Sequence, residues 1–333
     1  MRNLLSLALV AAAAAASSGF HVIDRIQIGG ANGWDYVTVD SAARRMYVTN
    51  GTRVVVVDVD SRKVTGEIAD TPGVHGVAIA PELNRGFTSN GRANNVTIFD
   101  PRTLAMIGQV KTGENPDAIV YDAVSKRVFT FNGRSKDSTV VDAKTGAVIA
   151  TLALGGKPEF GVADGKGKVY VNIEDTSELA EIDALKPAVT RRWSLAPCEE
   201  PSGLAFDAKH RRLFSVCRNK LMIVSDANAG KVFGTAPIGQ GPDGAGFDAA
   251  SETAFSSNGE GTLTLVKEVA GKYEAIENVP TERGARTMAV DTKTQRVYLP
   301  TAEFGPAPAA TEQQPRPRPS ILPDTFHVVV VGK

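Results

Sequence analysis

Seven short loops, about forty residues apart, carry the polar side chains best placed for chemistry. They read Trp34-Asp35, Val74-His75, Pro116-Asp117, Pro158-Glu159, Pro201-Ser202, Pro242-Asp243 and Ala285-Arg286. Asp35, Asp117, Glu159 and Asp243 supply carboxylates, and His75 and Arg286 are the exceptions in sign. Such a set could hold a cation or a polar ligand. The competing reading is a solvated loop end that binds only water, since loops are polar in any case. His75 is also a candidate general base, although a lone histidine is commonly structural.

No nucleophile constellation accompanies these loops. The four histidines are His21, His75, His210 and His327, and only His75 falls in one of the seven. There is no HExxH and no Cys/His cluster with metal-ligand spacing. GQGPDG at 239–244 matches GxGxxG in form. A dinucleotide fingerprint follows a strand and opens a helix, whereas this one precedes a strand and carries Pro242. The only cysteines, Cys198 and Cys217, fall in the same unit. They are a disulfide candidate, because one lies in the entering loop and the other ends the second strand of a hairpin.

The elements that position the loops repeat. The phrase RRMYVTN at 44–50 returns as NRGFTSN, KRVFTFN, GKVYVNI, RRLFSVC, ETAFSSN and QRVYLPT. Its aromatic residue is Tyr47, Phe87, Phe129, Tyr170, Phe214, Phe255 and Tyr298. Each unit holds four strand-like runs separated by turn residues; the first reads YVTVD, MYVTN, VVVVDVD and KVTGEIAD. Four antiparallel strands in about 42 residues make one blade, so the expected fold is all-β, a seven-bladed β-propeller. The aromatic is read as a plug between blades. Asn50, Asn90, Asn132 and Asn258 are read as turn residues, because Asn-Gly suits positive φ. The last unit stops without a fourth strand, while HVIDRIQIGG at 21–30 resembles the fourth strand AVIATLALGG at 147–156. The N-terminal strand is therefore expected to complete the last blade beside the C-terminal FHVVVVGK.

These residues carry a family resemblance. YVTN at 47–50, within a turn-flanked repeat of about 42 residues, resembles the YVTN β-propeller repeat family (YncE-like). FTSN, FTFN and FSSN keep the aromatic and the asparagine; YVNI, FSVC and YLPT depart from the pattern. The resemblance covers nearly the whole chain after the leader. It implies an exported or periplasmic seven-bladed propeller and no settled chemistry.

Residues 1–18 read as a secretory signal peptide: Arg2, an apolar run from Leu4 to Ala16, and an Ala14-Ala15-Ala16 cleavage site. The run is shorter than the roughly 20 residues of a membrane span. Residues 19–333 then form one propeller domain, with no membrane span, in the periplasm or secreted. Lys+Arg and Asp+Glu both total 37, so no net charge draws nucleic acid. Within the last unit, 303–326 is a Pro-rich insertion with Arg316 and Arg318, read as a loose loop or a docking arm.

The leading expectation is a monomeric scaffold binding a small ligand or protein partner at the channel mouth, without catalysis. The alternative is a lactonase-like propeller hydrolase using the channel carboxylates with or without a metal. The sequence names no cofactor. A quinoprotein would want stacking tryptophans, and only Trp34 and Trp193 are present.

Overall fold

The computed structural model describes residues 19–30, 32–309 and 319–333; the segment 1–18 expected to be a leader, and Arg316 and Arg318, lie outside the described residues. Seven four-stranded antiparallel sheets follow one another as blades, so the chain is a seven-bladed β-propeller. Blade 1 is Val37–Asp40, Arg45–Asn50, Arg53–Asp58 and Lys63–Ile68, from the channel outward. The second and third strands of each blade are buried on both faces by the neighbouring blades. This is why the third strands of blades 1 and 7 read as continuous valine runs rather than as alternating patterns. The fourth strands, on the outer rim, keep most residues in solvent.

The repeated aromatic sits between blades. All seven are at most 1% exposed. Tyr47 meets Phe99 of blade 2 at 6.0 Å, Tyr170 meets Phe206 of blade 5 at 6.1 Å, and Phe214 stacks on Phe247 of blade 6 at 5.3 Å. The basic residue before the repeated strand has its own cause. Arg44, Lys126 and Arg211 stand at φ 57, 56 and 57, closing the turn from the inner strand; Gly167 takes the same place at φ 87. The aspartate ending the inner strand caps that turn. Asp207 Oδ1 accepts from the Lys209 and His210 N–H groups at 2.8 and 3.3 Å.

The asparagines depart from the turn reading. Asn50, Asn90, Asn132 and Asn258 are fully buried, and none has positive φ; of the glycines that follow them only Gly51 does. The side chains of Asn90, Asn132 and Asn258 instead knit the second strand to the third, while Asn50 Oδ1 accepts from Asn32 Nδ2 at 3.4 Å and Arg53 Nε at 3.5 Å. Asn132 Nδ2 donates to Asp137 Oδ1 at 2.5 Å and to Thr139 Oγ1 at 3.0 Å, while Thr130 Oγ1 donates to Asn132 Oδ1 at 3.0 Å. Asn90 and Asn258 repeat the pattern. Leaving such partners unpaired in a dry interior costs about 1–3 kcal/mol. Asn132→Ala should therefore lower stability by about 2 kcal/mol in urea melts. A loss below a few tenths of a kcal/mol would restore the turn reading.

The ring closes through its ends. Blade 7 runs Ala289–Asp291, Arg296–Thr301, His327–Gly332 and His21–Gln27. His21 pairs with Gly332 and Gln27 with His327, antiparallel. The insertion begins as an anchored stem, with Phe304 bridged to Ile321 and Gly305 N–H donating to the Ser320 carbonyl at 2.9 Å. Its tip, 310–318, lies outside the described residues. Cys198 and Cys217 are joined at 2.09 Å, tying the entry of blade 5 to the end of its second strand. Among the described residues, no helix is long and apolar enough to cross a membrane.

Candidate functional site

The inner strands of blades 2 to 6 all lose register at their first residues. The shifts fall between Val74 and Gly76, Pro116 and Ile119, Pro158 and Gly161, Pro201 and Leu204, and Pro242 and Gly244. His75, Asp117, Glu159, Ser202 and Asp243 lie within these irregular steps. A bulge frees a residue from the ladder and re-aims its side chain. Proline suits the site because the strand bordering the channel has an unpaired side.

Hydroxyls then fix these loops, Thr49 within blade 1 and the others across blade boundaries. Thr49 Oγ1 accepts the Asp35 N–H at 3.0 Å and donates to the Tyr36 carbonyl at 2.9 Å. Thr287 Oγ1 donates to the Asp35 carbonyl at 2.7 Å, Ser89 to the Asp117 carbonyl, and Ser257 to the Arg286 carbonyl at 2.5 Å. The Thr or Ser before the repeated asparagine thus positions the mouth. Glycine after that asparagine also has a spatial reason: a Cβ at Gly91 would stand 2.6 Å from His75 Nε2.

The result is a compact polar cluster. His75 Nδ1 lies 2.6 Å from Asp35 Oδ2 and 3.5 Å from Asp117 Oδ1. Arg286 reaches Asp243 at 2.8 Å and Asp35 at 3.5 Å. Lys157 Nζ pairs with Glu159 at 2.9 Å and also with Glu174. The Asp35, His75 and Asp117 side chains keep 18%, 27% and 13% of their surface, enough to touch the channel. One donor atom from each of these three lies within 4.8 Å of the others, so together they could hold a metal ion.

Electrostatics follow from crowding like charges in a narrow space. Burial and the Asp35 charge raise Asp117 above the usual carboxylate range, against the pull of His75 and Lys157. Burial and the Asp117 charge raise Glu159 despite its lysine partner. Asp243 is pushed up to about 7, by burial first and then by Asp35 and Asp117, with Arg286 opposing. Burial alone would lower the His75 imidazole, but the Asp35 hydrogen bond and the Asp117 and Asp35 charges outweigh it and Arg286, so it is raised. Tyr36 is raised too, by burial first and then by the carboxylates around it.

Not every predicted loop residue joins the cluster. Trp34 turns toward the insertion, stacking on Phe326 at 5.2 Å and meeting Phe304 at 6.0 Å. Trp34 and Phe304, with Arg283, Arg286 and Ile321, line a cavity of about 440 Å³ beside the mouth. Ser202 Oγ donates to the Pro242 carbonyl at 3.2 Å, holding blade 5 to blade 6. Tyr36, Lys157 and Glu174 belong to the site but escaped the loop alignment. Tyr36 and Lys157 adjoin aligned positions, and Glu174 replaces the glycine that follows the asparagine in other blades.

No protein-family model matches the chain, and no curated protein sequence matches it. Many solved chains share its fold. One is a chain of Kuenenia stuttgartiensis hydrazine synthase, 14% identical, with a TM-score of 0.72 over 81% of this chain and 92% of that one. At that identity the likeness establishes the propeller fold alone.

Proposed function

We propose that this chain is an exported binding propeller, a diverged member of the YVTN repeat family, whose channel mouth takes a small positively charged ligand. The carrying observation is the charge balance at the mouth. Asp35, Asp117, Glu159, Glu174 and Asp243 converge there, while the fixed cations among them are Arg286 and Lys157. A bound cation would relieve the repulsion among these carboxylates. Pockets with convergent polar groups and shifted carboxyls are characteristic of ligand sites. The leader supports export to the periplasm or beyond, and the repeated YVTN-like strands support the family.

The test is calorimetry of residues 19–333 against spermidine, choline and divalent metal salts. Binding of at least one cation is expected. Asp243→Asn and Glu159→Gln should each weaken organic-cation binding about 10-fold, the equivalent of one charge-assisted contact. Heats indistinguishable from dilution for every cation would overturn the proposal. The lactonase-like alternative draws on the His75–Asp35 contact, which orients a base. Turnover of lactones by the same preparation would favour it.

A further inference from the structure

We infer that Asp35, His75 and Asp117 form the seat of one divalent first-row transition-metal ion, open toward the channel. This deepens the cation-binding reading above and rests on it. The three donors come from the inner loops of blades 1, 2 and 3, which the ring brings side by side. His75 Nδ1 stands 2.6 Å from Asp35 Oδ2 and 3.5 Å from Asp117 Oδ1. Ligand atoms around an ion at about 2.1 Å stand roughly 3.0–3.4 Å apart. These two separations straddle that range and all three donor atoms lie within 4.8 Å of one another, so side-chain rotations complete the seat.

A second observation points the same way. Asp117 Oδ1 is shielded from solvent, and among the described residues it has no hydrogen-bond partner. A carboxylate oxygen left unpaired in such a place is costly unless something satisfies it. The His75 imidazole faces it at 3.5 Å, beyond hydrogen-bond reach. An ion at this place would give that oxygen its partner.

The donor set also selects the metal. One imidazole and two carboxylates suit zinc, manganese or iron(II), whereas calcium and magnesium prefer all-oxygen shells with more ligands. The seat is braced. Thr49 and Thr287 tie the backbone of Asp35, Ser89 ties that of Asp117, and the bare Cα of Gly91 backs the His75 ring. Such outer support fixes donor geometry before the ion arrives. The ion must displace any proton held between His75 Nδ1 and Asp35 Oδ2, so binding releases it to solvent. Three protein ligands leave at least one position for water or a ligand atom, as in sites that do more than hold a fold together.

The experiment uses purified residues 19–333, stripped with chelator and titrated with Zn²⁺, Mn²⁺ and Co²⁺ by calorimetry, with metal content read by elemental mass spectrometry. One ion per chain is expected, and the Co²⁺ form should show visible ligand-field bands. His75→Gln and Asp117→Asn should each weaken binding about 100-fold, since even outer-shell changes cost about 10–100-fold. Glu252→Gln, exposed beside Lys209 and away from the mouth, should leave both stoichiometry and affinity unchanged. Thermal melts establish that each variant is folded; one that is not gives way to Asp35→Asn, which carries the same expected loss. Equal affinity in the folded variants, or no retained ion in the parent chain, would overturn the seat. If metals fail but spermidine still binds, only the metal seat falls. If neither binds, the cation-binding reading falls with it.

Discussion

Deleting residues 327–333 should leave a chain that no longer folds. The segment is the third strand of blade 7, and it pairs on one side with Arg296–Thr301 and on the other with His21–Gln27. Val328, Val329, Val330 and Val331 are each at most 1% exposed. Two of them face blade 1 residues such as Val48 and Val57, and the others face blade 6 residues such as Leu263 and Leu265. Burial of one such side chain contributes about 1.5–3 kcal/mol, so the four together contribute roughly 8 kcal/mol. The whole net stability of a domain is about 5–15 kcal/mol. The deletion also strands His21–Gln27 without a partner and opens two sheet edges to other chains. The expected readout is aggregation on gel filtration and no cooperative thermal transition by circular dichroism. Val329→Asp should act in the same direction, because it places a charge where the valine is fully buried. A truncated chain that melts cooperatively at the parent temperature would show that the ring does not depend on this strand pairing.

The fold was legible because burial on both faces forces the same solution in every blade. The second and third strands, squeezed between two neighbours, bury an aromatic at the same offset in every blade, and the repeat spacing then exposes itself. The mouth was legible only in part. Aligned loops put Asp35, His75, Asp117, Glu159, Asp243 and Arg286 at equivalent places, and the structure brings these together. What linear spacing hides is which neighbours touch. Asp35, His75 and Asp117 are 40 and 42 residues apart in sequence, yet their donor atoms lie within 4.8 Å. Glu174 was hidden because it occupies a position that is glycine in other blades, and nothing in YVNIE marks it as a channel residue. Trp34 looked like a mouth residue because its neighbour is one; its ring followed the apolar surface of Phe326 and Phe304 instead. The asparagines failed for a different reason. Asn-Gly is the same pair of letters whether the chain needs a left-handed turn or a buried amide beside a bare Cα. Only the surrounding Thr and Ser hydroxyls tell the two apart.

Asp243→Asn should gain stability over the parent protein as pH rises, and this separates a strained binding site from a structural ion pair. A structural pair would hold Asp243 ionised and below its usual range. Instead, burial together with Asp35 and Asp117 raises it to about 7, even with Arg286 at 2.8 Å. Below about pH 4 the carboxyl is protonated in both folded and unfolded chains and contributes nothing. Between about 4 and 7 the unfolded chain has released the proton while the folded chain keeps it, so stability falls with rising pH. Above 7 the full penalty stands. Each tenfold gain in proton affinity is worth about 1.4 kcal/mol, which bounds the effect near 4 kcal/mol; with the side chain 27% exposed, about 3 kcal/mol is expected. His75, also raised, adds its own pH dependence to the parent protein, so the parent profile alone does not isolate Asp243. The difference between parent and variant does, because the introduced amide cannot titrate while His75, Arg286, Asp35, Asp117 and Glu174 remain in both. Urea melts at pH 4.5 and pH 8 measure it. The variant's advantage should grow by about 2 kcal/mol between the two pH values, since part of the effect has already developed by pH 4.5. A constant difference, or one that shrinks, would mean that Arg286 fully compensates the charge, and the mouth would then have no unrelieved repulsion to offer a cation. A protein that is more stable without Asp243, yet binds cations less well, holds that carboxylate for its ligand rather than for its fold.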